Sequence, residues 1–321
     1  MARGLRAIGL FLQRCFDGVA NGAIYASLAL ALVIVNRSTG LLNPAQGEMA
    51  TMSTYIAMVL HTPVTPALAG TGLAATFIPF SPWPTWLSVL GAMVFGAALS
   101  AGVERVVLRR LTDESGFGVV SGGVGVMLVI NGWVERTWRN VLRGFEPIFP
   151  NRPDDFFHIG PSRLRYVTVG TWATILLVLV LLFILLRFTT VGLAFRAVSS
   201  NREGSALVGI RAGRIVSLGW ALAGAIGALA GCLVAPTVLL EPGMMVRVLI
   251  FAMVAATLGG LDSLAGALIG GLFVGLSQTM LGGYVRFIGS ALSLPGALLM
   301  MVFVLLYRPT GLLGTKKVER V

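Results

Sequence analysis

The residues able to do chemistry in this chain are few, and their apolar surroundings decide what that chemistry is. Asp17, Glu48, Glu104, Arg105, Glu135 and Asp262 sit within or beside long apolar runs, where ionisable groups are costly and therefore rare. Glu48 is the most informative. It follows Asn43, Pro44, Ala45, Gln46 and Gly47. Pro44 removes a backbone donor and Gly47 loosens the local helix, and backbone groups freed in this way are tolerated at membrane depth only where protein buries them or water reaches them. Two readings stay open for the segment: a lining of a translocation path or its gate, or a hydrogen-bonded cap joining two spans. Gly259, Gly260, Leu261, Asp262 and Ser263 interrupt another apolar run in the second half. Paired interruptions in two halves point to a transporter's midplane site, whereas Asp262 taken alone reads as the N-cap of the helix that follows. Glu104 with Arg105, and Glu135 with Arg136, lie near the ends of apolar runs and read as snorkelling groups.

Enzyme chemistry finds little support. His61 and His158, both expected in loops, assemble neither a nucleophile dyad nor a metal site, Asp262 has no evident acidic partner, and the phosphate-cradling pattern G-x-x-x-x-G-K-[ST] is missing. Cys15 and Cys232 lie in apolar stretches, where a free thiol behaves as a small hydrophobe.

The elements that must position these groups follow from composition. Of the 321 residues 56% are hydrophobic and 12% charged, mean hydropathy is +0.88 and net charge is +11. Soluble domains carry about 25% charged residues, so half that share cannot cover a surface in water. Long continuous apolar runs, rather than alternation over about ten residues, select helices over a barrel. Spans are expected at 16–35, 41–60, 85–107, 117–138, 168–187, 215–239, 246–282 and 287–307, the seventh long enough to split at Gly259–Ser263. The fold class is therefore an all-α polytopic membrane protein, with about eight to ten transmembrane or half-spanning helices and one short cytoplasmic helix. The basic start, Arg3 to Arg14, is interrupted by Gln13, Arg14 and Asp17 and reads as a retained first helix rather than a secretory signal. The basic excess is better explained by membrane-flanking loops than by nucleic acid.

Three polar segments remain. Residues 139–166 read as an external loop with little regular structure. Residues 189–214, with Arg196, Arg202, Arg211 and Arg214, and the tail from Arg308 with Lys316, Lys317 and Arg320, are cytoplasmic by the positive-inside rule, as is the turn at Arg109 and Arg110. The side of the N-terminus stays open. Glycine, 41 residues, is nearly twice its usual share of about 7%. Gly18 with Gly22, Gly227 with Gly231, Gly266 with Gly270 and Gly271 with Gly275 stand at the spacing of helix packing faces. Within 189–214, Ser200 and Glu203 are spaced as a capping box for a short helix ending at Gly209, with Ala206 and Leu207 as a small apolar knob suited to another protein's groove.

Taken in order, the motifs resemble the LivH-type permease subunits of branched-chain amino acid ABC importers. They are Asn21-Gly-Ala-Ile-Tyr25-Ala26; Thr39-Gly40-Leu-Leu-Asn43-Pro-Ala45-Gln46-Gly47-Glu48; Arg196-Ala197 to Gly209-Ile210; Leu258-Gly259-Gly260-Leu-Asp262-Ser263 through Gly270-Gly271; and Arg308-Pro309-Thr310-Gly311-Leu312 with Gly314. Pro44, where that family usually has Phe, and Gly204 with Ser205 depart from the pattern. The resemblance implies a single permease domain over 1–321 in a bacterial inner membrane. It also implies partners: a homologous second permease, two cytoplasmic ATPases that carry ATP and magnesium, and a periplasmic binding protein. No cofactor is implied on this chain itself. The implied cargo is a branched-chain or other hydrophobic amino acid, or urea or short amides. Arg196, Ala197, Asn201, Arg202, Glu203, Ala206 and Gly209 would couple to the ATPase, and Asn43, Pro44, Gln46, Gly47, Glu48, Gly259, Gly260 and Asp262 would line the path or its gate. The competing class is an ion-coupled secondary transporter or channel for a small polar solute, driven through Glu48 and Asp262.

Overall fold

A computed structural model describes residues 2–40, 42–62, 83–111, 116–152, 154–159, 162–284, 293–308 and 311–314. Pro309, Thr310, Lys316, Lys317, Arg320 and the first residues of the expected eighth span lie outside them. In chain order the helices are α1 (Ala2–Thr39), α2 (Gln46–His61), α3 (Thr85–Val103), α4 (Gly116–Trp138), α5 (Tyr166–Phe188), α6 (Thr190–Ser200), α7 (Arg202–Leu207), α8 (Ala212–Val238), α9 (Met244–Gly259), α10 (Leu264–Tyr284) and α11 (Ser293–Tyr307). Helix α3 runs on through a π turn, Glu104–Leu108, into Arg109–Leu111. Among the described residues five helices are long and apolar enough to cross a membrane: Ile8–Thr39, Thr85–Leu111, Tyr166–Phe188, Ala212–Val238 and Leu264–Tyr284. The long seventh run does divide, at Gly260–Ser263.

The chain forms two compact units, one of Met1–Val33, Phe149–Leu181 and Ile250–Val321, the other of Ile34–Ile148 and Leu182–Leu249. In the first unit α10 presents two small faces. Gly266 and Gly270 meet the backbone of Gly259 and Ala255 on α9, while Gly271 and Gly275 meet Ala26 and Gly22 on α1. A Cβ added at Gly22 would stand 2.9 Å from Leu272 Cα, and one at Gly18 2.9 Å from Leu276 Cα, so neither helix has room for a larger residue. Polar pairs fix the register. Tyr25 donates to Gln278 Oε1 at 2.5 Å and stacks on Phe251 at 4.8 Å, and Asn21 Nδ2 donates to Thr279 Oγ1 at 3.3 Å.

At the end of α9 the orphan carbonyls expected of any helix terminus find partners far along the chain. Ala256 O accepts from Gly260 N, Leu258 O from Leu312 N at 2.7 Å and Gly259 O from Leu313 N at 3.0 Å. Gly260 and Gly311 take φ of +104° and +79°, a conformation open to glycine at little cost, so the tail can lie flat on the break.

In the second unit α2 is enclosed by α3, α4 and α8. Helices α3 and α8 cross where Gly96 faces Gly224; a Cβ added at Gly96 would stand 2.7 Å from Gly224 O. Gly227 and Gly231 lie against α2, at Gln46 and Ala50 for the first and at Ala50 and Thr54 for the second. The pairs 46 with 227 and 54 with 231 make α2 and α8 parallel, and the pairs 53 with 96 and 60 with 91 make α2 and α3 antiparallel. Arg109 and Gly213 therefore share one end of this unit with the 189–214 segment, while His61, Arg143 and Leu240 share the other.

The polar stretch 139–166 holds more order than its prolines suggest. Phe156–Ile159 (β1) and Ser162–Arg165 (β2) form an antiparallel hairpin in which His158 pairs with Arg163 and Phe156 with Arg165. The Arg163 guanidinium lies 4.6 Å from the centre of the Phe156 ring, a diagonal contact of the kind that stabilises strand pairs. The histidines are also not in loops: His61 ends α2 and His158 stands in β1.

Gly224→Ala places a methyl group against the Gly96 carbonyl and is expected to cost about 1–3 kcal/mol. Gly102→Ala, which meets nothing within 4 Å, should be neutral or stabilise by about 0.5–1 kcal/mol. Thermal unfolding in detergent separates the two.

Candidate functional site

The segment between α1 and α2 is built by one asparagine. Asn43 Oδ1 accepts from Ala45 N at 3.0 Å, closing an Asx turn, and its Nδ2 donates to Gln46 Oε1 at 3.2 Å. Gln46 Nε2 in turn donates to Ala223 O on α8 at 2.9 Å, so the first residue of α2 is tied across the bundle. Pro44 fills the space beside Gly123 on α4, where a Cβ would stand 2.9 Å from its ring. Proline at this position thus fits a glycine opposite it, and it does not break α2, which starts two residues later. Gly47 admits Leu249 at 3.4 Å.

Glu48, one residue on, is 2% exposed. Asn131 and Glu135, both on α4, stand close enough to act on its carboxyl. Its Oε2 has no hydrogen-bond partner within the described residues. One helical repeat further, Tyr55 stacks on Trp138 of α4 at 4.7 Å, so α2 and α4 run parallel with 48 beside 131 and 55 beside 138. Neither Glu135 nor Arg136 is buried.

The second interruption belongs to the other compact unit. Gly259 and Gly260 are occupied by backbone contacts to Gly266 and to the tail. Asp262 is not the N-cap of α10. That position belongs to Ser263, whose Oγ accepts from Gly266 N at 2.9 Å; α10 starts at Leu264, one residue too late for Asp262 to reach its first free amides.

The 189–214 segment forms two helices rather than one. In α6, Thr189 caps the start by accepting from Gly192 N, Phe195 and Val198 are buried, and Arg196 is exposed with Ala197 beside it. Asn201, not Ser200, caps α7, its Oδ1 accepting from Gly204 N at 2.8 Å. Ser200 still belongs to α6, so the expected capping box with Glu203 does not form. Gly204 suits its place: an added Cβ would crowd the Asn201 side chain at 3.2 Å. Arg202 opens α7, Glu203 and Ala206 are exposed, and Gly209 at φ +84° stops the helix. Leu207 and Val208 are 91% and 78% exposed, an apolar tip facing outward. The segment is anchored from behind. Ser199 Oγ donates to Arg37 O at 2.7 Å, and Phe195 packs over Gly219.

Glu104 does not snorkel. It is 4% exposed, and Arg109 holds it with two bonds, Nε to Oε1 at 3.0 Å and Nη2 to Oε2 at 2.9 Å. Only Arg105 of that pair is exposed. Residues five apart in an α-helix are turned about 140° from each other, so helical spacing alone does not predict this contact.

Asn43→Ala removes both the turn acceptor and the donor to Gln46. We expect a loss of about 1–3 kcal/mol, with Asn43→Ser intermediate because its hydroxyl keeps an acceptor for the turn. Thermal unfolding of the three proteins in detergent measures it.

The family described as "Branched-chain amino acid transport system / permease component" matches residues 15–307. The chain is 26% identical over 321 residues to the LivH permease protein of Salmonella typhimurium, covering 97% of this chain and 98% of that one. It is 26% identical to BraD of Pseudomonas aeruginosa over 317 residues, again 97% and 98%. It is 28% identical over 313 residues to a probable LivH of Methanocaldococcus jannaschii, covering 94% of each. A solved structure, PsaBC from Streptococcus pneumoniae in complex with Fab, overlays with a TM-score of 0.43 at 16% identity over 95% of each chain. With the match spanning most of its length, and with its long apolar helices, this multi-pass inner-membrane chain belongs to the permease-component family of branched-chain amino acid transport systems.

Proposed function

We propose that the chain is the membrane path of an ABC importer and that cytoplasmic ATPases dock on α6 and α7. The observation that carries this is the tip of α7, where Leu207 and Val208 face outward at the end of the unit that also holds the Arg109–Arg110 turn. Two large apolar side chains at the end of a short helix suit a groove in a partner, with the exposed Arg196 and Glu203 as its polar rim. The chain carries no nucleotide-binding motif, so ATP and magnesium belong to two ATPase subunits; a second permease and a periplasmic binding protein complete the assembly. The names of the relatives support a branched-chain amino acid as cargo. Asn43, Pro44, Gln46, Gly47 and Glu48 line the path or its gate, since a buried carboxylate with a free oxygen is costly in lipid unless it serves a solute or its passage. Gly259, Gly260 and Asp262 line the path or its gate in the other unit.

Co-purification with the ATPase subunits tests the docking surface. Leu207→Asp should reduce ATPase capture by about tenfold or more, the size expected when a central apolar anchor is lost, while Leu142→Asp, exposed at the opposite end of the unit, should leave capture intact. Equal capture by wild type and Leu207→Asp would place the docking surface elsewhere. In the assembled transporter, Glu48→Gln should slow uptake without altering capture.

A further inference from the structure

We infer that Glu104, Arg109 and Ser217 form a strut that fixes the start of α8, and with it the 189–214 segment, to α3, so that displacement of that segment reaches the membrane helices instead of being absorbed in the connecting loop. This rests on the docking role proposed above.

The contacts close a ring. Arg109 grips Glu104 through two bonds, and the two hydrogens of its Nη2 are shared among Glu104 Oε2, Gly213 O and Ser217 Oγ, the last two each at 2.7 Å. Ser217 Oγ donates back to Glu104 Oε2 at 2.6 Å. Two residues on α8, one turn apart, are thus held by a guanidinium whose fork has little freedom to swivel. Gly213 eases this approach: a Cβ there would stand 3.3 Å from the guanidinium, which would have to shift by a few tenths of an ångström.

The π turn makes the ring possible. Arg109 N donates to Glu104 O, closing a five-residue turn that stacks residue 109 over residue 104. In a regular α-helix the two side chains would diverge. A π turn costs hydrogen-bond geometry and a buried ion pair costs desolvation; apolar residues of similar size would serve a static brace as well. What the ring adds is direction. Sliding or tilting of α8 relative to α3 breaks several short charged bonds at once, whereas an apolar contact slides.

These are positioning residues, so the test separates coupling from stability. The transporter is assembled with its ATPases, second permease and binding protein in proteoliposomes, and ATP hydrolysis and amino-acid uptake are measured in the same vesicles. Because Arg109→Gln alone leaves the buried Glu104 carboxylate without its cation and can fail to fold, the double variant Glu104→Gln/Arg109→Gln and the single variant Ser217→Val carry the comparison. Both should capture ATPase and hydrolyse ATP like wild type, yet transport about five- to tenfold fewer solute molecules per ATP. Unchanged uptake per ATP in both variants, even with less assembled complex, would overturn the strut and reduce the ring to a structural brace. Loss of ATPase capture in them would overturn it too, by making the ring part of the docking surface. Retained capture by Leu207→Asp would instead remove the docking reading, which is a separate result.

Discussion

Lipid tails are as apolar as leucine, so the helices of this protein are held together by how closely their backbones approach and by the few polar bonds between them, not by a hydrophobic drive. Each unit solves this in the same way. Gly96 meets Gly224, Gly259 meets Gly266, and Gly22 meets Gly275, in each case so closely that a single methyl group would collide with backbone on the facing helix. Helix α10 carries the idea furthest, since two glycine pairs one residue out of step let it contact α9 on one flank and α1 on the other. The glycine content is therefore the means of holding the bundle together rather than a sign of looseness.

Close packing around α2 fixes the polar groups it encloses. The Asx turn at Asn43 sets Gln46, Gln46 ties α2 to the Ala223 carbonyl, and Glu48 is left inside the bundle beside Asn131 with one oxygen unpaired. At the basic end a second polar cluster is closed instead of open, with every member of the Glu104–Arg109–Ser217 ring paired. The two polar sites of this unit differ in that respect: the ring is fully paired, while Glu48 keeps a buried oxygen without a partner among the described residues.

Much of this was legible in the sequence, for physical reasons that can be named. The division of the seventh apolar run was visible because two adjacent glycines followed by a charged Asp262 disfavour an unbroken buried helix, and the small-residue spacings marked faces that do meet. The amphipathic stretch at 189–214 was visible as well, although the cap fell to Asn201 because its side chain reaches Gly204 N while Ser200 is still inside the preceding helix. The Glu104–Arg109 contact was hidden, since no α-helical spacing pairs residues five apart. The tail's role was hidden too. Gly311 to Gly314 stand out as a motif, but that Leu312 and Leu313 bond the carbonyls ending α9 is a contact across more than fifty residues.

The central claim is that this chain supplies a route through the membrane and takes its power from nucleotide hydrolysis in other subunits. Solute accumulation measured in proteoliposomes tests it most directly, comparing the chain alone under proton and sodium gradients with the complete assembly given ATP and loaded binding protein. The account predicts accumulation only in the complete assembly and only with ATP. Accumulation by the chain alone, driven by an ion gradient, would contradict it.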